Sequence, residues 1–160
     1  MLFRSGKIVD IYNGQGITED VHTTDNMDGV DHTLRYMKQD FEGLIFTNFV
    51  DFDAKYGHRR DVKGYRDALE AIDVRLSEIM EAMEPTDLLM ITADHGNDPA
   101  YKGTDHTREY VPLLVYGETV KPDVNLSTRA TFADIAATIS DIFGVPSTGF
   151  GTSFYTEIKK

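Results

Sequence analysis

The run Gly43–Val50 (GLIFTNFV) is almost unbroken in its apolar character, has the length of a strand, and is rich in β-branched and aromatic residues. Such a run suits a strand buried on both faces, as in parallel sheets. From Asp61 to Met83, apolar side chains recur three or four residues apart at Val62, Tyr65, Leu69, Ile72, Leu76, Ile79 and Met83. That spacing predicts a long amphipathic helix with the stripe as its core face. Pro85 stops the helix, and Asp87–Ala93 (DLLMITA) repeats the buried-strand pattern. Strand, helix and strand in this order confine the chain to βαβ units. The expected architecture is a three-layer α/β/α sandwich around a mostly parallel sheet.

The remaining stretches extend this frame. Pro112–Gly117 (PLLVYG) reads as a third strand, and Thr131 opens a helix that buries Phe132, Ile135, Ile139, Ile142 and Phe143, with Gly144 as its carboxyl cap. Upstream, Asp28 or Asp31 can cap a helix carrying Val30, Leu34 and Met37 on one face, on which His32 is expected to point to solvent. Asn13–Gly16 reads as a turn and Val21–Asn26 as a loop. Residues 6–12 (GKIVDIY) alternate like a short strand. Met1–Ser5 carry no turn or cap logic, so residues 1–5 are set aside as a non-native lead and residues 6–160 form the domain.

Sixteen basic against 27 acidic residues give a formal net charge of −11. This excess argues against nucleic acid as a partner, because phosphate-backbone binders present basic stripes. There is no cysteine, so any metal site must use histidine and carboxylate. No apolar run reaches the ~18 residues of a membrane span, and the amino terminus lacks a signal-peptide core. A cytoplasmic protein without membrane contact is expected. Oligomeric state has no visible signature.

Both buried-type strands run into acid and histidine. The first is followed by Asp51, Asp53 and His58, the second by Asp94 and His95, with His106 after a short polar loop. Ligands of open α/β sheets gather outside the carboxyl ends of strands. Asp53, His58, Asp94, His95 and His106 can therefore converge there, too many donors for one four-coordinate metal and about right for two. Taken singly, Asp94 reads as a turn cap and the histidines as surface residues; the repetition of the design favours a metal site. Asp51 and Asp105 suit supporting hydrogen bonds or loop caps. Arg59, Arg60, Lys102 and Arg108 are candidates to neutralise a phosphate. Thr92, Thr104 and Thr107 lie near, but none has the surroundings of an activated nucleophile.

The segments VDFDAKYGHRR, ITADHGNDP and GTDHTREYVPLLVYG, with GKI near the start, TDNMDG at Thr24–Gly29 and GFGTSF at Gly149–Phe154, closely resemble the carboxyl-terminal half of bacterial phosphopentomutases, members of the alkaline phosphatase superfamily. The resemblance implies a core domain of alkaline phosphatase type, incomplete in this chain. It also implies an enzyme that moves phosphate between the 1- and 5-positions of ribose or deoxyribose. Two manganese ions and a phosphothreonine primed by a sugar bisphosphate would serve that reaction. Carried onto this sequence, Asp53, His58 and His106 match the ligands of one manganese, Asp94 and His95 match two ligands of the other, and Lys7 matches a lysine that approaches the pentose phosphate. The family's remaining metal-binding aspartate, its nucleophilic threonine and its cap domain have no counterpart here. The chain is accordingly expected to be a carboxyl-terminal fragment without mutase activity of its own. Competing readings are a related metal-dependent phosphoglycerate mutase or phosphodiesterase, and a non-catalytic metal-binding domain.

Overall fold

The computed structural model of the chain describes residues 1–5 and 13–160, a mixed α/β protein in two compact units. The first comprises Met1–Met83 and His95–Tyr110, the second Glu84–Asp94 and Val111–Lys160. The strand anticipated at residues 6–12 lies outside the described residues.

In the first unit, β1 (Leu2–Ser5) is the middle strand of a three-stranded parallel sheet, between β2 (Glu19–Val21) and β3 (Leu44–Thr47). The expectation that Met1–Ser5 stand outside the fold is therefore corrected. Leu2 pairs with Leu44, and Phe3 faces both Glu19 and Ile45 in register. Phe3 is buried between the rings of Tyr36 and Phe41, each 4.5 Å away by centroid.

Helix α1 (Asn26–Met37) packs on β1 and β3 through Val30 and Tyr36, both fully buried. Its cap is Asp25, whose carboxylate accepts the Asp28 N–H at 2.9 Å, not Asp28 or Asp31. Asp28 instead accepts the Thr24 N–H, which holds its carboxyl below the usual range. His32 lies 3.4 Å from Asp28, one helical turn away. Helix α2 (Val62–Ala82) follows the anticipated bounds and is capped by Asp61, which accepts the Gly64 N–H. Its apolar stripe is only partly covered: Ile79 is buried, whereas Val62 and Leu69 are exposed. The helix packs on α1 and on the turn Phe52–Gly57.

In the second unit, β4 (Leu89–Thr92) and β5 (Leu113–Tyr116) pair antiparallel, with Leu89 opposite Tyr116. The cause is local. A parallel return needs a crossover, usually a helix, and residues 93–112 contain none. Helix α3 (Ala133–Ile142) and the short α4 (Tyr155–Ile158) complete the unit, and Gly144 takes a φ of +61° just beyond α3, as a carboxyl-capping glycine does. No helix among the described residues is long and apolar enough to cross a membrane.

Asp134 ties this unit together. Its buried carboxylate accepts the Thr152 N–H and the Arg129 Nε–H, each at 2.8 Å, and these bonds, the backbone one foremost, depress its pKa. A depressed carboxylate contributes stability that is fully present above its unfolded pKa, about 3.9, and is lost as pH falls through the folded value. Asp134→Asn should cost roughly 1.5–3 kcal/mol at pH 7, the scale of a hydrogen bond to a charged group. Thermal denaturation at a series of pH values should show the gap between variant and parent closing as pH drops below about 4. A gap independent of pH would contradict this role.

Candidate metal centre

Beyond β3 the chain passes Asp51 and enters a π-helical turn, Phe52–Gly57, followed by His58. In an α-helix, residues five apart point about 140° away from each other. The wider turn bonds residue i to i+5, and the His58 N–H donates to the Asp53 carbonyl at 3.0 Å. Their side chains consequently converge, with His58 Nε2 3.3 Å from Asp53 Oδ1. Gly57 is needed in this turn, since a Cβ there would collide with the Asn97 amide.

The third member arrives from the loop between β4 and β5 in sequence. That loop closes on itself through the Thr107 N–H, which donates to the Gly96 carbonyl at 3.0 Å. His106 Nε2 lies 3.3 Å from Asp53 Oδ1 and 3.1 Å from His58 Nε2. Among the described residues, Asp53, His58 and His106 form a group whose donor atoms all lie within 4.8 Å of one another. His95 stands beside it, its ring stacked on His106 at 3.6 Å and its Nε2 4.0 Å from Asp53 Oδ1.

This donor set fits a divalent ion. Ligand atoms about 2.0–2.1 Å from a tetrahedral centre are separated from each other by roughly 3.3 Å, close to the separations of 3.1 and 3.3 Å found here. His58 has its other nitrogen, Nδ1, against the Thr104 carbonyl. That acceptor keeps the proton on Nδ1 and leaves the Nε2 lone pair facing the cluster.

The other sequence candidates divide clearly. Asp94 follows β4 at the end of the second unit's Glu84–Asp94 segment and is not in the group. Lys7 lies outside the described residues. Asp51 is a loop support: its carboxylate accepts the Asn26 N–H at 3.1 Å and Lys55 Nζ at 3.0 Å. Arg59, Lys102 and Arg108 are exposed. Arg60, a candidate for phosphate, instead donates to the carbonyls of Asp98, Gly103 and Asp105 and to the Asn97 side chain. Thr104 contributes its carbonyl, and the Thr107 hydroxyl joins the Asp98 N–H to the Glu109 carboxylate. Tyr65 packs on Phe52 behind the turn, and burial, then the charge of Asp53, push its phenol above the ordinary value.

Asn97 is the functional residue that the sequence reading missed. It is 9% exposed, and its Nδ2 donates to Asp53 Oδ1 at 2.6 Å. The available signal was the polar run His95–Gly96–Asn97–Asp98 directly after a buried-type strand.

A profile of the metalloenzyme superfamily matches residues 2–147, a span that includes β1. Among curated relatives, the phosphopentomutases of Alkaliphilus metalliredigens and Clostridioides difficile are each 61% identical over 149 residues, 93% of this chain and 38% of theirs. That of Kosmotoga olearia is 59% identical over 157 residues, 98% of this chain and 40% of its own. The chain thus spans about two fifths of the length of the relatives it matches. A crystal structure of Leishmania mexicana phosphoglycerate mutase, determined at low cobalt concentration, superposes with a TM-score of 0.72 over 94% of this chain and 36% of its own. At 19% identity that likeness speaks to the fold alone.

Proposed function

We propose that this chain, which belongs to the metalloenzyme superfamily, is part of a cytoplasmic phosphopentomutase that interconverts the 1- and 5-phosphates of ribose or deoxyribose. The observation that carries the reading is the identity of about 60% to proteins of that name across nearly the whole chain. When bound, a pair of manganese ions would stabilise the charge spread over a transferring phosphoryl group. Asp53, His58 and His106 would hold one of them, and Asp94 and His95 would supply two ligands to the other.

The chain's own residues prepare that chemistry. The carboxylate of Asp53 offers a negative charge between two imidazoles, and the Thr104 carbonyl fixes the tautomer of His58. Lys7 would meet the substrate phosphate as a point charge. No residue of this chain is assigned as the nucleophile; that role belongs to a threonine, primed by a sugar bisphosphate, in another part of the enzyme.

The test is substrate choice in a protein of the relatives' full length that carries this segment. With Mn²⁺ and a sugar bisphosphate it should convert ribose 1-phosphate to ribose 5-phosphate and leave 3-phosphoglycerate untouched. Turnover of phosphoglycerate in place of the pentose phosphate would transfer the assignment to the mutase whose fold it shares.

A further inference from the structure

We infer that Arg60 and Asn97 are positioning residues that set the geometry of the metal centre, one guanidinium supporting all three members of the Asp53–His58–His106 group. This rests on the reading that those three hold a metal. Arg60 Nη1 donates to Asn97 Oδ1 at 3.1 Å, and Asn97 Nδ2 donates to Asp53 Oδ1 at 2.6 Å. The direction of this relay is forced. A guanidinium only donates and an ionised carboxylate only accepts, so the amide between them must turn its oxygen to Arg60 and its NH₂ to Asp53.

The same guanidinium braces the two histidines. Its Nε and Nη2 donate to the carbonyls of Gly103 and Asp105, on either side of Thr104, whose own carbonyl orients His58 through Nδ1. Asp105 is also the residue before His106. A further bond, Nη1 to the Asp98 carbonyl at 2.7 Å, fixes the start of the loop. Arg60 makes these contacts from a left-handed backbone, φ +57°, which a non-glycine residue adopts only where its surroundings hold it there. With its donors directed at four loop acceptors, Arg60 is engaged in support and not in recognising a phosphate.

The purified protein and its Arg60→Ala, Arg60→Lys, Asn97→Ala and Arg60→Ala/Asn97→Ala variants should be titrated calorimetrically with Mn²⁺, with His58→Ala as control. Loss of a partner that orients metal ligands typically weakens binding about 10–100-fold, and that loss is expected in Arg60→Ala and in Asn97→Ala. Arg60→Lys keeps the charge without the fork and should also bind weakly; it serves if the alanine variant fails to fold. Because the two residues act in one relay, the double variant should be weaker than the poorer single by less than about twofold. Millimolar guanidinium should restore affinity to Arg60→Ala and not to Asn97→Ala, a response that general destabilisation would not give. Affinities within twofold of the parent in both single variants, fully additive losses, or no rescue would overturn the inference. Binding that survives His58→Ala would instead overturn the metal reading beneath it.

Discussion

Replacing Asp53 by alanine is expected to remove Mn²⁺ binding at the cluster, with a loss beyond the ~100-fold ceiling of supporting residues. Asp53 Oδ1 is the atom on which the site closes: it lies 3.3 Å from both His58 Nε2 and His106 Nε2 and 4.0 Å from His95 Nε2. It also brings the group its only carboxylate. Without it, two neutral imidazoles whose Nε2 atoms stand 3.1 Å apart would have to bind a dication with no anionic ligand. Asp53→Asn leaves an oxygen in place and removes the charge, so its affinity should fall between those of the parent and Asp53→Ala. His95→Ala should lose least, because His95 stacks on the group from outside. Calorimetry of the three variants checks the order. An Asp53→Ala protein that bound Mn²⁺ within tenfold of the parent would remove Asp53 from the site. The alanine variant should also lose roughly 1–3 kcal/mol of stability, because Asn97 Nδ2 is left buried without its acceptor.

The residues of this cluster could be picked out in sequence, whereas the means of bringing them together could not. Acid and histidine at the ends of GLIFTNFV and DLLMITA announce a strand-end site, since residue type and position are local facts. Asp53 and His58 are separated by a spacing that neither an α-helix nor a strand would close, and only the π-helical turn brings them together. Nothing in FDAKYG alone specifies that turn over an α-helical one. The contacts of Arg60 and Asn97 depend on a loop more than thirty residues downstream folding back on the turn, so the sequence suggested only a phosphate-neutralising or surface cation for the first. Similarly, α2 was readable because its cap Asp61 and its period are written within one segment. The direction of the β4–β5 pair follows from its connection, because residues 93–112 hold no helix to carry a parallel return.

Phe3→Ala should cost the first unit about 3–5 kcal/mol, the usual loss on truncating a buried phenylalanine, against total stabilities of roughly 5–15 kcal/mol. The strand that carries Phe3 was the least legible part of the fold. Leu2–Ser5 is four residues long, has no alternation, and finds its partners at Glu19–Val21 and Leu44–Thr47. Its burial comes entirely from these distant elements. Phe3 is 3% exposed and touches the rings of Tyr36 and Phe41 at equal centroid distances of 4.5 Å, so truncation leaves a cavity walled by two aromatic rings. Phe3→Leu keeps most of that volume and should cost less than about 1.5 kcal/mol. Denaturant unfolding of the two variants separates these cases. A loss below 1 kcal/mol for Phe3→Ala would return Met1–Ser5 to the peripheral status their sequence suggests. The metal supplies an independent check, because β3 pairs with β1 and leads into the turn that bears Asp53 and His58. A ligand that binds only the folded state at 100 times its Kd adds about 2.7 kcal/mol. Saturating Mn²⁺ should therefore recover more than half of the Phe3→Ala deficit, and should recover none of it when Asp53→Ala is present as well.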